Sequence, residues 1–283
     1  MPDMVTALGR AYLRHFPWEN GKWRIAKLLS DRVCLKPTSI VATVAPNLTM
    51  ELDLSDFLQR TLWLERKYEP ELQSILMEYL APGGVFVDIG ANVGFFTLLA
   101  SRLVGNTGHV YAFEPAPRTF AALNRNIQLN QIQNVTPMQL GLSDAQGEAA
   151  FYPDPGGNSG AGSLRPHPNN TAAITVDLDS YDRLAAEMKL PVPSLIKIDV
   201  EGAEHKVVQG MSALLSQQHR PPILMEISEF SLEKQGSSRT SLLSLMRKFG
   251  YEARVATKVR QSVLSDSGIY FQFDALFVPA GRA

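Results

Sequence analysis

The chain of 283 residues contains a single cysteine, Cys34, so no internal disulfide can form. One thiol fits a reducing compartment. Five histidines, at 15, 109, 167, 205 and 219, are scattered, which leaves no zinc-type Cys/His cluster. There is no surplus of charge: 27 Lys+Arg face 28 Asp+Glu, a net of −1. Nucleic-acid binders usually carry a basic excess to neutralise phosphates, so that class is disfavoured. No apolar run approaches the roughly 18 residues that a membrane-spanning helix needs. Asp3, Arg10, Arg14 and His15 interrupt the N-terminus before an apolar signal-peptide core can build, and the expectation is a soluble cytoplasmic protein. Charged residues are only 19% and hydrophobic residues 45%, which excludes a disordered chain and provides for a sizeable core. No internal repeat is present.

What is there begins with a short amphipathic segment. Residues 4–16 place Met4, Val5, Leu8, Tyr12, Leu13 and Phe16 at helical spacing, and Pro17 with Asn20-Gly21 ends the pattern. A helix of this kind is expected to pack on the domain or on a second copy of the chain rather than on a membrane. Residues 39–54 alternate apolar and polar positions and read as two strands joined at Pro46-Asn47. Residues 69–80 read as a helix stopped by Pro82-Gly83-Gly84.

From Val85 the pattern becomes strand–helix alternation. Strands are expected at 85–89, 109–113, 135–142, 194–199, 223–227, 251–256 and 271–278. Helices are expected over 94–103, 117–130 and 203–215, and around Leu242–Phe249 up to Gly250. This rhythm predicts an α/β fold, a mostly parallel sheet covered by helices on both faces. Its ligand belongs beyond the carboxyl ends of the strands, where strand order reverses. The chain divides into an N-terminal helical and β-hairpin extension, 1–68, and a main domain, 69–283. Residues 153–170 break the rhythm with four Gly and four Pro, flanked by runs at 148–152 and 172–178 that can pair as a hairpin. Such a segment near the ligand edge is either a surface loop or a lid over the substrate.

Three motifs carry chemistry. In the first, the strand Val85–Ile89 runs through Asp88 into Gly90-Ala91-Asn92-Val93-Gly94 and then a helix. Glycines there allow a tight turn and close approach. A dinucleotide G-x-G-x-x-G starting at Gly90 would need glycine where Asn92 and Phe95 stand, so a nicotinamide cofactor fits poorly. In the second, Glu114 ends the next strand, at a spacing from Gly90 that lets an acid accept hydrogen bonds from ribose hydroxyls. In the third, Lys197 and Asp199 share one parity on the fourth strand, so Lys197 is expected to pair with a carboxylate. Glu201, Glu204 and His205 follow Asp199 and open the next helix; acids there also complement the helix dipole.

The segments FVDIGANVGFF, YAFEPAPRTFAALNRNIQLN, LIKIDVEGAEHKVVQG and ILMEISE together resemble the FkbM-type S-adenosylmethionine-dependent methyltransferases. The resemblance runs from Tyr68-Glu69 to the fifth strand, with weaker similarity around Phe249-Gly250-Tyr251 and the last strand. It implies a Rossmann-like class I methyltransferase sheet of seven strands, the last antiparallel. It implies that Asp88, Gly90, Ala91, Asn92 and Gly94 surround the methionine part of S-adenosylmethionine. Glu114, with Pro115 beside it, would hold the ribose. Ser143 and Asp144 would border the adenine, and Glu69 would contribute to the same site. The activity it implies is O-methylation of a hydroxyl on a small-molecule natural product or a sugar.

A sulfonium donor suits a site bordered by acids. An alcohol acceptor must also give up a proton, and Asp199, Glu201 and His205 are the candidate bases, with Glu226 a further one. His205 alone among them ordinarily titrates near neutrality. No metal ligand set is readable, although Asp199 with another carboxylate is chemically compatible with a divalent cation. Two other readings stand beside this one. A methyltransferase acting on a macromolecular nitrogen would be expected to show Asn/Asp-Pro-Pro-aromatic after strand four, where Asp199-Val-Glu-Gly stands instead. A non-catalytic cofactor-binding scaffold is disfavoured by Asp88, Glu114 and Asp199 occurring together. The N-terminal extension is the expected place for a homo-oligomer contact.

Overall fold

The computed structural model describes residues 4–15, 25, 28–29, 39–66, 68–154, 158–166, 172–257, 260–264 and 268–281. The extension comprises α1 (Met4–His15), β1 (Ser39–Ala45), β2 (Leu48–Asp53) and α2 (Phe57–Glu65), and α3 (Pro70–Tyr79) follows. The first half of the sheet region runs β3 (Val85–Ile89), α4 (Phe95–Val104), β4 (His109–Phe113), α5 (Pro117–Leu129) and β5 (Val135–Met138). A small sheet of β6 (Gly141–Leu142), β7 (Gly147–Phe151) and β8 (Ile174–Asp179) is inserted next. Then come α6 (Tyr181–Met188), β9 (Leu195–Ile198), α7 (Glu204–Gln209), α8 (Ser212–Leu215) and β10 (Ile223–Ser228). The chain closes with α9 (Glu229–Lys234), α10 (Arg239–Lys248), β11 (Tyr251–Val255), β12 (Arg260–Leu264) and β13 (Gly268–Pro279).

The main sheet has the order β11-β13-β10-β9-β3-β4-β5, with β12 added on β13. Strands β10, β9, β3, β4 and β5 are parallel, and β13 is antiparallel to both of its long neighbours. The seven-stranded class I methyltransferase sheet with its antiparallel last strand is therefore present. Strand order reverses between β3 and β9, which opens a crevice at their carboxyl ends.

Period-two alternation divides the core. Phe86 and Leu195 face one apolar cluster, packed by Leu72 and Leu76 of α3, Leu98 of α4 and Leu123 of α5. Val87, Ile89, Ile196 and Ile198 face the other, packed by Leu184 of α6, Val207 of α7 and Leu242 of α10. Each such buried side chain contributes about 1.5–3 kcal/mol. Asp88 and Lys197 fall on the Phe86 face and are register partners on adjacent strands.

The extension shares the first core, since Leu48, Met50, Leu52 and Leu62 lie in the same cluster as Phe86. Asn126 of α5 and Asn130, the C-cap of that helix, fasten the hairpin. Asn126 accepts from the Glu51 N–H at 2.7 Å and donates to the Val93 carbonyl at 2.9 Å. Asn130 accepts from the Thr49 N–H at 3.1 Å and donates back to the Thr49 carbonyl at 2.6 Å. Helix α1 packs on α2: Arg14 donates from Nε to the Leu64 carbonyl at 3.2 Å, and Arg10 lies 3.8 Å from the centre of the Trp63 ring. No described helix is long and apolar enough to cross a membrane.

The structure departs from the sequence pattern in particular places. The expected strand 135–142 is two strands, because the chain turns where the Leu140 N–H donates to the Met138 carbonyl at 3.0 Å; β6 then joins β8. The expected helix 203–215 is broken at Gly210, where a Cβ would stand 1.9 Å from the Ser143 carbonyl oxygen. Helices α2, α6 and α9 and strand β12 were not foreseen. The hairpin expected around the Gly/Pro-rich segment is present, with β7 antiparallel to β8. Phe16, Pro17, Asn20, Gly21 and Cys34 lie outside the described residues.

Candidate active site

A cavity of about 420 Å³ opens at the carboxyl ends of β3, β4, β9 and β10. That size falls in the range of small-molecule sites. The turn after β3 forms its floor. Gly90 has φ +81°, and its N–H and that of Ala91 both donate to the Phe113 carbonyl, at 3.0 and 2.9 Å. A Cβ at Gly90 would stand 1.8 Å from the Asp199 carbonyl oxygen, so only glycine lets the β3 and β9 turns meet.

One end of the cavity is held by the backbone. Glu114, 7% exposed, accepts from the Asn92 N–H at 2.9 Å on Oε2 and from the Ala116 N–H at 3.0 Å on Oε1. Burial pushes its carboxyl up to about 7, against the pull of those two N–H donors. Asp88 accepts from the Thr97 hydroxyl at 2.6 Å on Oδ2. Burial raises its pKa, opposed by Lys197. Its Oδ1 and the Oδ1 of Asn92 are buried acceptors with no hydrogen-bond partner among the described residues. An unsatisfied buried acceptor costs about 1–3 kcal/mol, and a donor on a ligand would remove that cost.

Lys197 sits between the two ends. Its ammonium donates to Asp199 Oδ2 at 2.8 Å and lies 5.2 Å from the centre of the Phe96 ring. Burial works against its charge, but Asp199 and Asp88 outweigh burial and its pKa is raised. This is the carboxylate pairing that strand parity predicts.

At the other end the acids crowd. Asp199, Glu201 and Glu226 each bring one carboxylate oxygen within 4.8 Å of the others, a spacing that also suits a divalent cation. Burial pushes Glu201 up to about 8, helped by Asp199 and Glu204. Glu226 is held well above the usual carboxylate range by burial, Asp199 and Glu201. Their hydrogen bonds come from side chains: Ser231 Oγ donates to Glu201 at 3.3 Å and Gln272 Nε2 to Glu226 at 2.7 Å.

The roof comes from outside the sheet. Phe57, Leu58 and Thr61 of α2 and Asn158, Ser159, Gly160, Gly162 and Leu164 of the Gly/Pro-rich segment line the cavity. Asp56 joins the two: Oδ1 caps α2 by accepting from the Gln59 N–H at 2.9 Å, and Oδ2 accepts from the Ser159 N–H at 2.5 Å.

Of the residues singled out in the sequence, Glu69, Asp88, Gly90, Ala91, Asn92, Glu114, Pro115, Asp199 and Glu201 line this cavity, as does Glu226. Gly94 stands off the wall and faces Leu123. Leu140, Gly141 and Leu142 form the wall just before Ser143 and Asp144, which lie beyond it. The Ser143 N–H instead donates to the Asp179 carbonyl at 2.8 Å. His205 is half-buried in α7, outside the wall, because the helix has already turned away from the strand end. Sequence reasoning missed Tyr68, Gln272 and the α2 residues as wall groups. No local pattern marks them, since they meet the motifs only through the fold.

The description "Methyltransferase FkbM domain" matches residues 88–253. Hexuronic acid methyltransferase AglP of Haloferax volcanii is 31% identical over 147 residues, covering 52% of this chain and 58% of that protein. Methyltransferase 1 of Beauveria bassiana is 30% identical over 194 residues, covering 61% and 72%. The 31-O-demethyl-FK506 methyltransferase FkbM of Streptomyces tacrolimicus is 31% identical over 160 residues, covering 47% and 61%. This chain thus matches about three fifths of the length of AglP and of FkbM. The matched segment is more than half of the chain and carries Asp88, Glu114, Asp199, Glu201 and Glu226 of the cavity: the chain belongs to the FkbM methyltransferase family.

Proposed function

We propose that the chain is an S-adenosylmethionine-dependent O-methyltransferase whose acceptor is a hydroxyl of a small-molecule natural product or a sugar. The charge of the cavity carries this reading. Among the described residues six carboxyl side chains line it and a single ammonium, Lys197, which is already paired with Asp199. Such a wall favours a cationic ligand and disfavours the two phosphates of a nicotinamide dinucleotide. The buried acceptors Asp88 Oδ1 and Asn92 Oδ1 fit the ammonium group of a methionine moiety. The names of AglP and FkbM, a hexuronic acid methyltransferase and a 31-O-demethyl-FK506 methyltransferase, point to sugars and natural products as acceptors.

When bound, S-adenosylmethionine supplies a methyl group on a sulfonium, whose transfer to oxygen breaks the methyl–sulfur bond and leaves a neutral thioether. Glu114 is fixed by two backbone donors, which leaves lone pairs on both oxygens for ribose hydroxyls. Asp199 is held by Lys197 and keeps the cavity negative near the sulfonium. Glu201 takes the acceptor's proton. A base near pH 8 is well matched to neutral operation, because a cation beside it draws its pKa down. The convergence of Asp199, Glu201 and Glu226 supports one further reading, in which a divalent cation activates the hydroxyl.

Thermal unfolding with S-adenosylmethionine, S-adenosylhomocysteine, NAD or no ligand tests the cofactor. A ligand at about 100 times its dissociation constant adds about 2.7 kcal/mol, a rise of roughly 5–10 °C for a chain of this size. The two adenosyl ligands are expected to shift the midpoint and NAD is not. A shift with NAD alone would return a nicotinamide enzyme to first place.

A further inference from the structure

Methyl transfer to a hydroxyl needs a seat for the acceptor, and the sulfonium cavity is not the only space at this edge. A second cavity, of about 250 Å³, lies against the first. Glu201 and Gln272 line both, so the wall between the two holds the proposed base. The inference below rests on that reading of Glu201.

The second cavity is lined by Tyr152, Phe230, Tyr270 and Phe271. Four aromatics among 13 lining residues far exceeds the 8% of the whole chain. Phe230 and Tyr270 meet edge to face with centroids 5.5 Å apart. Aromatic faces interleaved with polar groups suit a ring that has C–H bonds on its faces and hydroxyls around its rim. The charges differ from those of the first cavity. Asp154 is committed to the Asn158 N–H at 3.0 Å, and Glu201 to Ser231. Arg165 and Lys234 have no carboxylate in ion-pair range among the described residues. Lys234 holds its ammonium 3.9 Å from the centre of the Phe230 ring, where burial lowers its pKa against the opposing pull of Glu201. Two bases, Arg165 and Lys234, thus stand beside two acids here, where the first cavity has one ammonium beside six carboxyl groups, and Arg165 has no carboxylate in ion-pair range among the described residues.

We propose that the second cavity seats the methyl acceptor as a glycosyl ring bearing an anionic substituent. Arg165 and Lys234 take the anion, the aromatic side chains take the face of the ring, and Glu201 meets the hydroxyl to be methylated. A uronic acid and a sugar phosphate present the same chemistry to these two cations.

The test is ligand-observed NMR titration of the full chain, saturated with S-adenosylhomocysteine, with D-glucuronate, D-glucose 6-phosphate and D-glucose at millimolar concentrations. At least one anionic sugar is expected to bind five-fold or more tighter than glucose; which one it is identifies the anion. Lys234→Met and Arg165→Gln are each expected to cut that preference about three-fold or more. Both should leave S-adenosylhomocysteine affinity within two-fold. Arg165 is exposed, so its variant keeps the test valid even if the Lys234 variant fails to fold. Equal binding of all three sugars, binding of none, or a preference that survives Arg165→Gln overturns the proposal. If S-adenosylhomocysteine itself does not bind, the cofactor reading fails separately. The sugar titration is then judged by the same criterion on the unliganded chain.

Discussion

Under β3 and β4 the carboxyl of Glu114 is gripped by two backbone N–H groups, whereas under β9 and β10 Glu201 and Glu226 lean on the side chains of Ser231 and Gln272. Backbone donors are fixed by the sheet and the turn, so Glu114 is held in place before any ligand arrives. Side-chain donors sit on α9 and β13, which can be changed without disturbing the turn after β3. The first arrangement suits a ligand that never varies, and the second a partner that does. It also suits proton traffic, because a carboxyl crowded by other acids takes and releases a proton near neutrality.

The comparison breaks most visibly at Glu201. Glu201→Gln is expected to lower kcat about 10²–10⁴-fold while leaving S-adenosylhomocysteine affinity within about three-fold. The pH profile carries the sign. Glu201 must be ionised to accept a proton, so kcat/KM of the wild type rises with pH as Glu201 loses its proton and then levels off, with the cofactor's cation moving that limb below the value of about 8 that burial gives the free chain. Glutamine abolishes that limb. A rate that instead falls with EDTA and returns with Mg²⁺ would transfer the role to a cation held by the three acids. If Glu201→Gln loses cofactor affinity as well as rate, the two ends of the cavity are not separate.

Glu114→Ala sharpens the same contrast from the other side. It removes the carboxylate proposed to bind the ribose and leaves the Asn92 and Ala116 N–H groups without their acceptor. Cofactor affinity by calorimetry is expected to drop by about 1.5–3 kcal/mol. At saturating cofactor, kcat should change far less than in Glu201→Gln. Unchanged affinity would remove Glu114 from the ribose site.

The same contrast decides what could be read in the sequence. The cofactor end is local: Asp88, Gly90 and Asn92 belong to one strand and its turn, and Glu114 ends the next strand. The strand ends in the sequence therefore bring them to one edge, where they line a single cavity, and strand parity points to the Lys197–Asp199 pair. The acceptor end is assembled from Tyr152, Arg165, Phe230, Lys234 and Tyr270, which are far apart in the chain. No spacing rule joins such residues. His205 follows Asp199 in the sequence nearly as closely as Glu204 does, but it sits beyond the turn and outside the cavity that Glu201 lines. The break at Gly210 has no spacing signal either, and the residue it faces, Ser143, comes from a distant segment.

The smallest expected effect concerns the roof, where the extension meets the inserted segment. Asp56 does two things at once, and Asp56→Asn separates them. Asparagine keeps an acceptor for the Gln59 N–H and is as good an N-cap as aspartate, so stability should stay within about 0.5 kcal/mol. Its amide cannot accept from Gln59 and Ser159 with both ends, because one end now carries hydrogens that oppose the Ser159 N–H. Residues 158–164 then lose their tie to α2 while the helix keeps its cap. The acceptor KM is expected to rise about three- to ten-fold, or about 0.6–1.4 kcal/mol, with kcat nearly unchanged. Asp56→Ala removes cap and tie together, and should add a stability loss of about 0.5–2 kcal/mol to the same change in KM. If Asp56→Asn leaves KM at the wild-type value, the bond to Ser159 does not govern the acceptor side. The inserted segment would then be a wall of the cavity and not a lid that α2 holds shut.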